Sequence, residues 1–378
     1  MGRVRCGTVP HSRSGRPAEG EPTRVKIPTS WSALSPDLMT GFVAGVHPGA
    51  VVSSVVQVGG SEGTSSRAVL RLTYSAGEGP ATVFAKTKGG PIRRLFQWMT
   101  DNAFIEGQLA QSAVDLGVEH PTFYGGVVDR LRLNDLIAME DVAPRGATLN
   151  DATKPVTVEE VARGLTGLAA MHSRFWCLDA AKHPELDWVK PWRTRPTFRM
   201  LLRSGCSRGI PRLQTHLPQA VVDVGAHGLV DHWCRQLDSV NTGPQTLLHG
   251  DAHIGNTYAL PDGEVGFYDW GVVRRGHWSF DVGYYIISAL EVEDRRANAR
   301  ELIEHYRAAL DVPATERPSA DDAWLRFRSS PCYGLAIWVT TGASDKAQAP
   351  EICARLSHRF AHAFVDLDTT NALTALGV

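Results

Sequence analysis

Residues 246–256 read TLLHGDAHIGN, and FYDWG follows at 267–271. An apolar run delivers His249, Asp251, His253 and Asn256 in quick succession, and Asp269 then stands behind two aromatic residues. Two chemistries call for such a set. One is metal ligation by His249, Asp251 and His253, as in a hydrolase that activates water on zinc or manganese. The other is phosphoryl transfer, with Asp251 as the base and Asn256 and Asp269 as oxygen ligands of magnesium.

The surrounding pattern bears on the choice. LLH reads as a short apolar strand, GDAHIGN as a polar loop, and EVGFYDW as a strand after the turn signal Pro261-Asp262-Gly263. Strand, loop, strand and acid is the layout that phosphoryl transfer uses. His249, Asp251 and Asn256 keep the offsets of the kinase loop H-R-D-x-x-x-x-N, and Asp269 of DWG takes the place of the Asp in D-F-G. A metallohydrolase would want further His or carboxylate ligands from other loops. No other histidine recurs at ligand spacing, and that reading leaves Asn256, Asp269 and the Lys86 strand unexplained. A kinase-like binding module without catalysis is the third possibility, weakened by the presence of base and metal ligands together.

Upstream, VVSSVVQVGGSEGTSSRAVLRLTYSAGEGPATVFAKTKGG from Val51 alternates β-branched and apolar residues with Gly- and Ser-rich breaks. It predicts a strand, a tight glycine loop, a strand, a turn and a third strand ending at Lys86. RRLFQWMTDNAFIEGQLAQSAVDLGV has apolar residues at helical spacing and predicts a helix that carries Glu106. TFYGGVVDR and LNDLIAMEDVAP predict two more strands, the second running into Glu140 and Asp141. A small antiparallel sheet with one helix thus accounts for residues 50–142. After Pro144 the pattern turns helical. Thr157 with Glu160 makes a capping box, and Val158, Val161, Leu165, Leu168, His172 and Phe175 share one face of the helix it opens. Further helices are expected over 211–239, 281–310 and 320–370. The class is α+β, with an N-terminal lobe at 26–142 and a helical C-terminal lobe at 143–378.

Composition sets outer limits. At 378 residues the chain exceeds one compact core, given roughly 150 residues per domain. A formal charge of −1 leaves no electrostatic footprint for nucleic acid or an anionic membrane. The six cysteines lie apart with no C-x-x-C pair, as expected of reduced thiols in a cytoplasmic protein. No apolar run approaches the ~18 residues of a membrane-spanning helix, so no membrane association is expected. Residues 1–25 carry five Arg with Ser, Gly and Pro, and no apolar signal region. Glu19, Glu21 and the missing amphipathic pattern speak against a transit peptide, and a disordered leader is expected.

With these residues in view, the chain resembles the aminoglycoside phosphotransferase and choline kinase branch of the protein-kinase-like fold. HGDAHIGN is similar to that branch's H-G-D-x-H-x-x-N loop. LAAMHSRFW together with HGDAHIGN is most similar to the ecdysteroid-kinase-like, CHK-type subgroup. The resemblance covers roughly residues 45–370. It implies a bilobal fold and transfer of the γ-phosphoryl group of ATP, with Mg2+, to a hydroxyl of a small molecule.

On that reading Asp251 orients and deprotonates the acceptor hydroxyl, and Asn256 and Asp269 hold magnesium. Gly59, Gly60, Gly63 and Thr64 in GGSEGTSSR would let backbone N–H groups approach phosphates, although an ordinary hairpin turn has the same composition. Lys86 would contact the α- and β-phosphates and pair with Glu106. Lys88, two residues on and facing the same way, is its rival, and Glu106 as a solvated helix residue is the other alternative. Adenine would meet backbone groups at Met139, Glu140 and Val142. His172 reads as a structural histidine, His249 and His253 as loop-shaping hydrogen-bonders, and Asp281 as a helix N-cap or a brace for the loop. Trp188, Trp192, Trp324 and Trp338 either line a pocket for a largely apolar alcohol or are core. Only eleven residues separate Asp269 from Asp281, with no A-P-E among them. That is too short for the platform on which protein kinases lay a peptide, so a small hydroxylated acceptor is expected. Oligomeric state is not legible.

Overall fold

The computed structural model describes residues 27–28, 30–62, 65–346 and 348–378. The leader expected at 1–25 and the candidate residues Gly63 and Thr64 lie outside the described residues. The chain divides into two units. The first holds the described residues up to Ala113 together with Thr122–Asp141; the second holds Val114–Pro121 and Val142–Val378.

The first unit has five strands: β1 (Val51–Glu62), β2 (Ser65–Ala76), β3 (Thr82–Lys88), β4 (Phe123–Asp129) and β5 (Asn134–Glu140). They form one antiparallel sheet in the order β1-β2-β3-β5-β4. Three helices accompany it, α1 (Pro36–Val43), α2 (Pro91–Met99) and α3 (Ile105–Ser112). One face of the sheet, with Ala68, Leu70, Val83, Ala85, Leu136 and Ala138, buries Met39, Phe42 and Val43 of α1. Each large side chain so buried stabilises by roughly 1.5–3 kcal/mol. On the other face Ile137 and Met139 pack with Ala110 of α3.

Two expectations are corrected here. Gly59 and Gly60 are not in a loop: β1 runs through them, pairing Gly59 with Val69 and Gly60 with Ala68 just past a bulge at Gln57. Gly60 has φ +147°, and a Cβ there would sit 2.3 Å from the carbonyl oxygen of Arg67, so the bulged strand itself demands glycine. The single helix expected after β3 is two helices. Asp101 and Phe104 take left-handed φ of 59° and 69°, which no right-handed helix can pass through.

In the second unit Thr157 caps α4 (Val158–Arg174) reciprocally: its Oγ1 accepts from Glu160 N at 3.1 Å, and Glu160 Oε2 accepts from Thr157 N at 2.7 Å. Val161, Leu165, Leu168 and His172 of this helix are buried. Then come α5 (Pro196–Leu213), α6 (Gln219–Val240), α7 (Ser279–Ala289), α8 (Val292–Ala309), α9 (Ala320–Arg328), α10 (Pro331–Thr341), α11 (Pro350–Asp366) and α12 (Thr369–Ala375). The long helices expected at 281–310 and 320–370 are therefore interrupted. Leu290 and Glu291 are extended, and Pro331 and Pro350 each open a new helix, where a missing N–H costs nothing. Short strands β6 (Thr148–Leu149), β8 (Thr257–Ala259) and β9 (Val265–Phe267) form one sheet, and β7 (Thr246–Leu248) pairs with β10 (Arg274–Gly276). The segment 249–256 connects β7 to β8. No helix of the described residues is long and apolar enough to cross a membrane.

Candidate active site

In the first unit the strand register decides which lysine meets which acid. Lys86 and Lys88 project from the same face of β3, as side chains two apart must. Lys86 Nζ lies 2.7 Å from Glu106 Oε2 of α3, whereas Lys88 Nζ lies 3.6 Å from Asp135 Oδ2 of β5. Glu106 is fully buried, which removes its alternative as a solvated helix residue. Met139 is buried on β5, and Glu140 at the strand end accepts from the backbone N–H of Thr122 at 3.1 Å. Its charge adds to burial in pushing the Tyr124 phenol up to about 12. Val142 falls in the second unit, just before the turn Ala143–Arg145.

In the second unit the loop after β7 is fixed largely by backbone contacts. Gly250 has φ +80°, and a Cβ there would lie 2.0 Å from the carbonyl oxygen of Val272. Asp281, in the first turn of α7, is wholly buried and faces this turn. Its Oδ2 accepts from His249 N at 2.7 Å and its Oδ1 from Gly250 N at 3.0 Å. Asp281 is therefore the brace and not the N-cap, since the helix has already begun at Ser279. The His249 ring continues the pattern: its Nε2 lies 3.1 Å from Tyr268 O, and its Nδ1 accepts from Asp251 N at 3.2 Å. A neutral imidazole offers one donor and one acceptor, so the Nε2–H tautomer meets both contacts.

That geometry bears directly on the two chemistries. Both ring nitrogens of His249 are engaged by backbone groups, and His253 Nδ1 accepts from Gly255 N at 3.0 Å. Among the described residues no group of three or more His, Cys, Asp and Glu side chains is arranged to hold a metal ion. A three-ligand zinc site is thus not built here. Burial holds the His253 imidazole down at about 4, against an opposing pull from the Asp269 charge.

Asn256 closes the loop onto Asp251, donating from Nδ2 to Asp251 O at 2.9 Å and to Asp251 Oδ2 at 3.1 Å. Spending the amide hydrogens this way leaves its Oδ1 for a ligand. The next segment is tied to the same residue, because Tyr268 N donates to Asn256 O at 2.9 Å. Asp269 follows at once, in a left-handed conformation with φ +64° that is uncommon outside glycine. A carboxylate and an amide oxygen suit magnesium, which takes hard oxygen donors and few of them from protein.

Sequence reading missed several neighbours of the loop. Ile254 N donates to Ser288 Oγ at 2.9 Å, and the buried Arg359 donates to the Ser288 carbonyl, to Ala152 O and to Glu291 Oε1. Tyr284 and Tyr333 are buried phenols held well above their usual range, first by burial and then by the Asp251 charge. A helical period marks them only as core. Of the tryptophans in question, Trp192 and Trp338 are buried in ring clusters with Tyr333 and His253 respectively, as core residues are.

One family profile matches the chain over most of its length. The profile described as the phosphotransferase enzyme family matches residues 57–320. No curated protein matches the chain. Solved structures do. A candidate aminoglycoside phosphotransferase from Ralstonia eutropha is 15% identical, covering 88% of this chain and 97% of its own, with a TM-score of 0.49. A choline/ethanolamine kinase family protein from Mesorhizobium loti is 16% identical, covering 90% and 98%, with a TM-score of 0.45. Spectinomycin phosphotransferase, solved with ADP and spectinomycin, is 13% identical, covering 86% and 92%, with a TM-score of 0.44.

Proposed function

This chain belongs to the phosphotransferase enzyme family, and we propose that it transfers the γ-phosphoryl group of ATP, with Mg2+, to the hydroxyl of a small molecule. The observation that carries the reading is the closed loop at 251–256. Asn256 holds the Asp251 backbone and carboxylate with its amide hydrogens and keeps its oxygen available, while Asp269 follows a residue hydrogen-bonded to the Asn256 carbonyl.

Asp251 is the base. Its carboxylate accepts the proton of the acceptor hydroxyl as that oxygen bonds to the γ-phosphorus, the bond from phosphorus to the β,γ-bridging oxygen breaks, and ADP leaves. Asn256 Oδ1 and the Asp269 carboxylate would hold the magnesium ion, which when bound neutralises charge on the phosphates. On the first unit Lys86, held by Glu106, is assigned to the α- and β-phosphates, with Gly59 and Gly60 allowing close backbone approach and Met139, Glu140 and Val142 near the adenine. The acceptor is small because the eleven residues between Asp269 and Asp281 leave no room for a peptide platform. Two of them, Ser279 and Phe280, already belong to α7.

The test compares phosphate transfer from labelled MgATP to proteins and peptides with transfer to amino alcohols, sugars, aminoglycosides and sterol-like alcohols. Asp251-dependent labelling of a small alcohol is expected. Asp251-dependent labelling of Ser or Thr in protein, with no small acceptor found, would overturn the assignment.

A further inference from the structure

We propose that α2, together with the hairpin turn between β4 and β5, docks on an anionic lipid surface. The proposal concerns one surface of the first unit and does not depend on the phosphoryl-transfer reading. Net charge and the lack of a spanning run, on which no membrane association is expected, describe the chain as a whole and leave a single surface helix open.

Helix α2 is mounted with its polar side inward. Ile92, Leu95, Phe96 and Met99 recur at i, i+3, i+4 and i+7, the stripe that a helix normally turns to a core. All four are exposed, Ile92 at 86%, as is Trp98, and no residue of the helix is buried. The half-buried positions of the helix are instead Arg94, whose Nε donates to Gly89 O at 2.8 Å, and Gln97, whose Oε1 is buried. Of the fourteen large apolar side chains exposed among the described residues, five lie in these nine residues. Exposed apolar side chains scattered singly need no explanation, but a contiguous stripe marks a surface that something covers.

The charges around the stripe identify the cover. β3 leads into α2, and Thr87 near its end pairs with Leu136 near the start of β5, so the turn at 130–133 lies at the same end of the sheet. That turn holds Leu131, 78% exposed, between Arg130 and Arg132. Arg132 pairs with Asp129 at 2.9 Å, whereas Arg93 and Arg130, both exposed, meet no carboxylate among the described residues. No Asp or Glu occurs from 79 to 100. Aromatic and aliphatic side chains flanked by arginines match a lipid interface, where rings enter the acyl boundary and guanidinium groups reach the phosphates. Two other occupants fit less well. A second copy would bring the arginines of two such helices onto one interface, and five side chains fall short of the roughly 1,200 Å² that a stable protein pair buries. Residues 1–26 carry five Arg and Lys26 against two Glu and hold no Phe, Tyr or Trp, so they offer the helix neither opposite charge nor rings.

The experiment is flotation of the full chain with vesicles, paired with sedimentation velocity in their absence. Wild type is expected to float with phosphatidylcholine vesicles containing about one third phosphatidylserine, to stay behind with pure phosphatidylcholine, and to be released by added salt. Phe96→Ser combined with Trp98→Ser should lower partitioning at least about tenfold, through the loss of two buried rings. Arg93→Gln should lower it about fivefold, as one charge near an anionic surface does. Because these side chains are exposed, the thermal unfolding midpoint should not move, which separates lost docking from lost fold. No flotation with the anionic vesicles, flotation that survives both sets of substitutions, or a self-association that they abolish in place of vesicle binding would overturn the proposal. If the double variant does not fold, Arg93→Glu and the salt series carry the test, and flotation indifferent to both would overturn it.

Discussion

Lys86 Nζ lies 2.7 Å from Glu106 Oε2, and the two side chains are 7% and 0% exposed. Charges this deep are costly to leave without their counterpart, because desolvation is recovered only through the pair. Glu106→Gln is therefore expected to destabilise the protein by about 3–5 kcal/mol, read as a shift in the urea unfolding midpoint. Lys86→Met with Glu106→Leu should cost much less than either single change. A single variant as stable as wild type would show that the pair is not a buried ion pair in solution.

The two lysines of β3 are separable in the same way. Lys86→Ala should weaken ATP affinity or turnover, whereas Lys88→Ala, whose partner is Asp135 at 3.6 Å, should leave both near wild type. Isothermal titration with ATP and magnesium reads the difference, and the reverse pattern would assign the phosphate contact to Lys88.

Asp251 and Asp269 should fail differently. Asp251→Ala is expected to keep nucleotide binding and to lower turnover by a factor on the order of 10²–10⁴. Asp269→Ala should instead reduce the magnesium dependence of nucleotide binding. Equal loss of binding in both variants would refute the division of roles.

Gly250→Ala should damage the loop without touching any polar side chain. The added methyl would sit 2.0 Å from the Val272 carbonyl oxygen, at a φ of +80° that L-residues avoid. A cost of about 1–3 kcal/mol in stability is expected, with a fall in turnover larger than the fall in ATP affinity. Wild-type activity in this variant would mean that the loop has room the structure does not show.

Stability should also depend on His277. Burial, with the nearby Arg326 and His172, holds this imidazole well below its usual value of 6.5. It is 2% exposed, and its Nδ1 accepts from Ser279 N at 3.3 Å. The folded protein keeps the ring neutral while the unfolded chain takes up a proton, so stability is fully present above about pH 6.5 and is lost as pH falls below it. Urea midpoints between pH 7.5 and 5 should drop more steeply for wild type than for His277→Gln. Parallel profiles would rule out a His277 contribution.

What the sequence by itself determined is local. The capping box at Thr157 and Glu160, the offsets of His249, Asp251 and Asn256, and the strand patterns leading to Lys86 and Glu140 all arise within a few residues, where local sequence alone is enough to place side chains. The α+β order follows from those periods, and the family profile matches over the same stretch. Tertiary structure decided what depends on partners far along the chain. Asp281 grips His249 from 32 residues away and meets His172 across 109, and no local pattern announces such a bond. Register between β3, β5 and α3 gave Glu106 to Lys86 and Asp135 to Lys88. The glycines at 59 and 60 looked like a loop because composition reports conformational freedom, not whether the freed backbone is paired. β2 pairs them. Asp101 and Phe104 broke a helix whose apolar spacing was intact, because periodicity is a property of side chains while the left-handed φ that ends a helix belongs to the backbone.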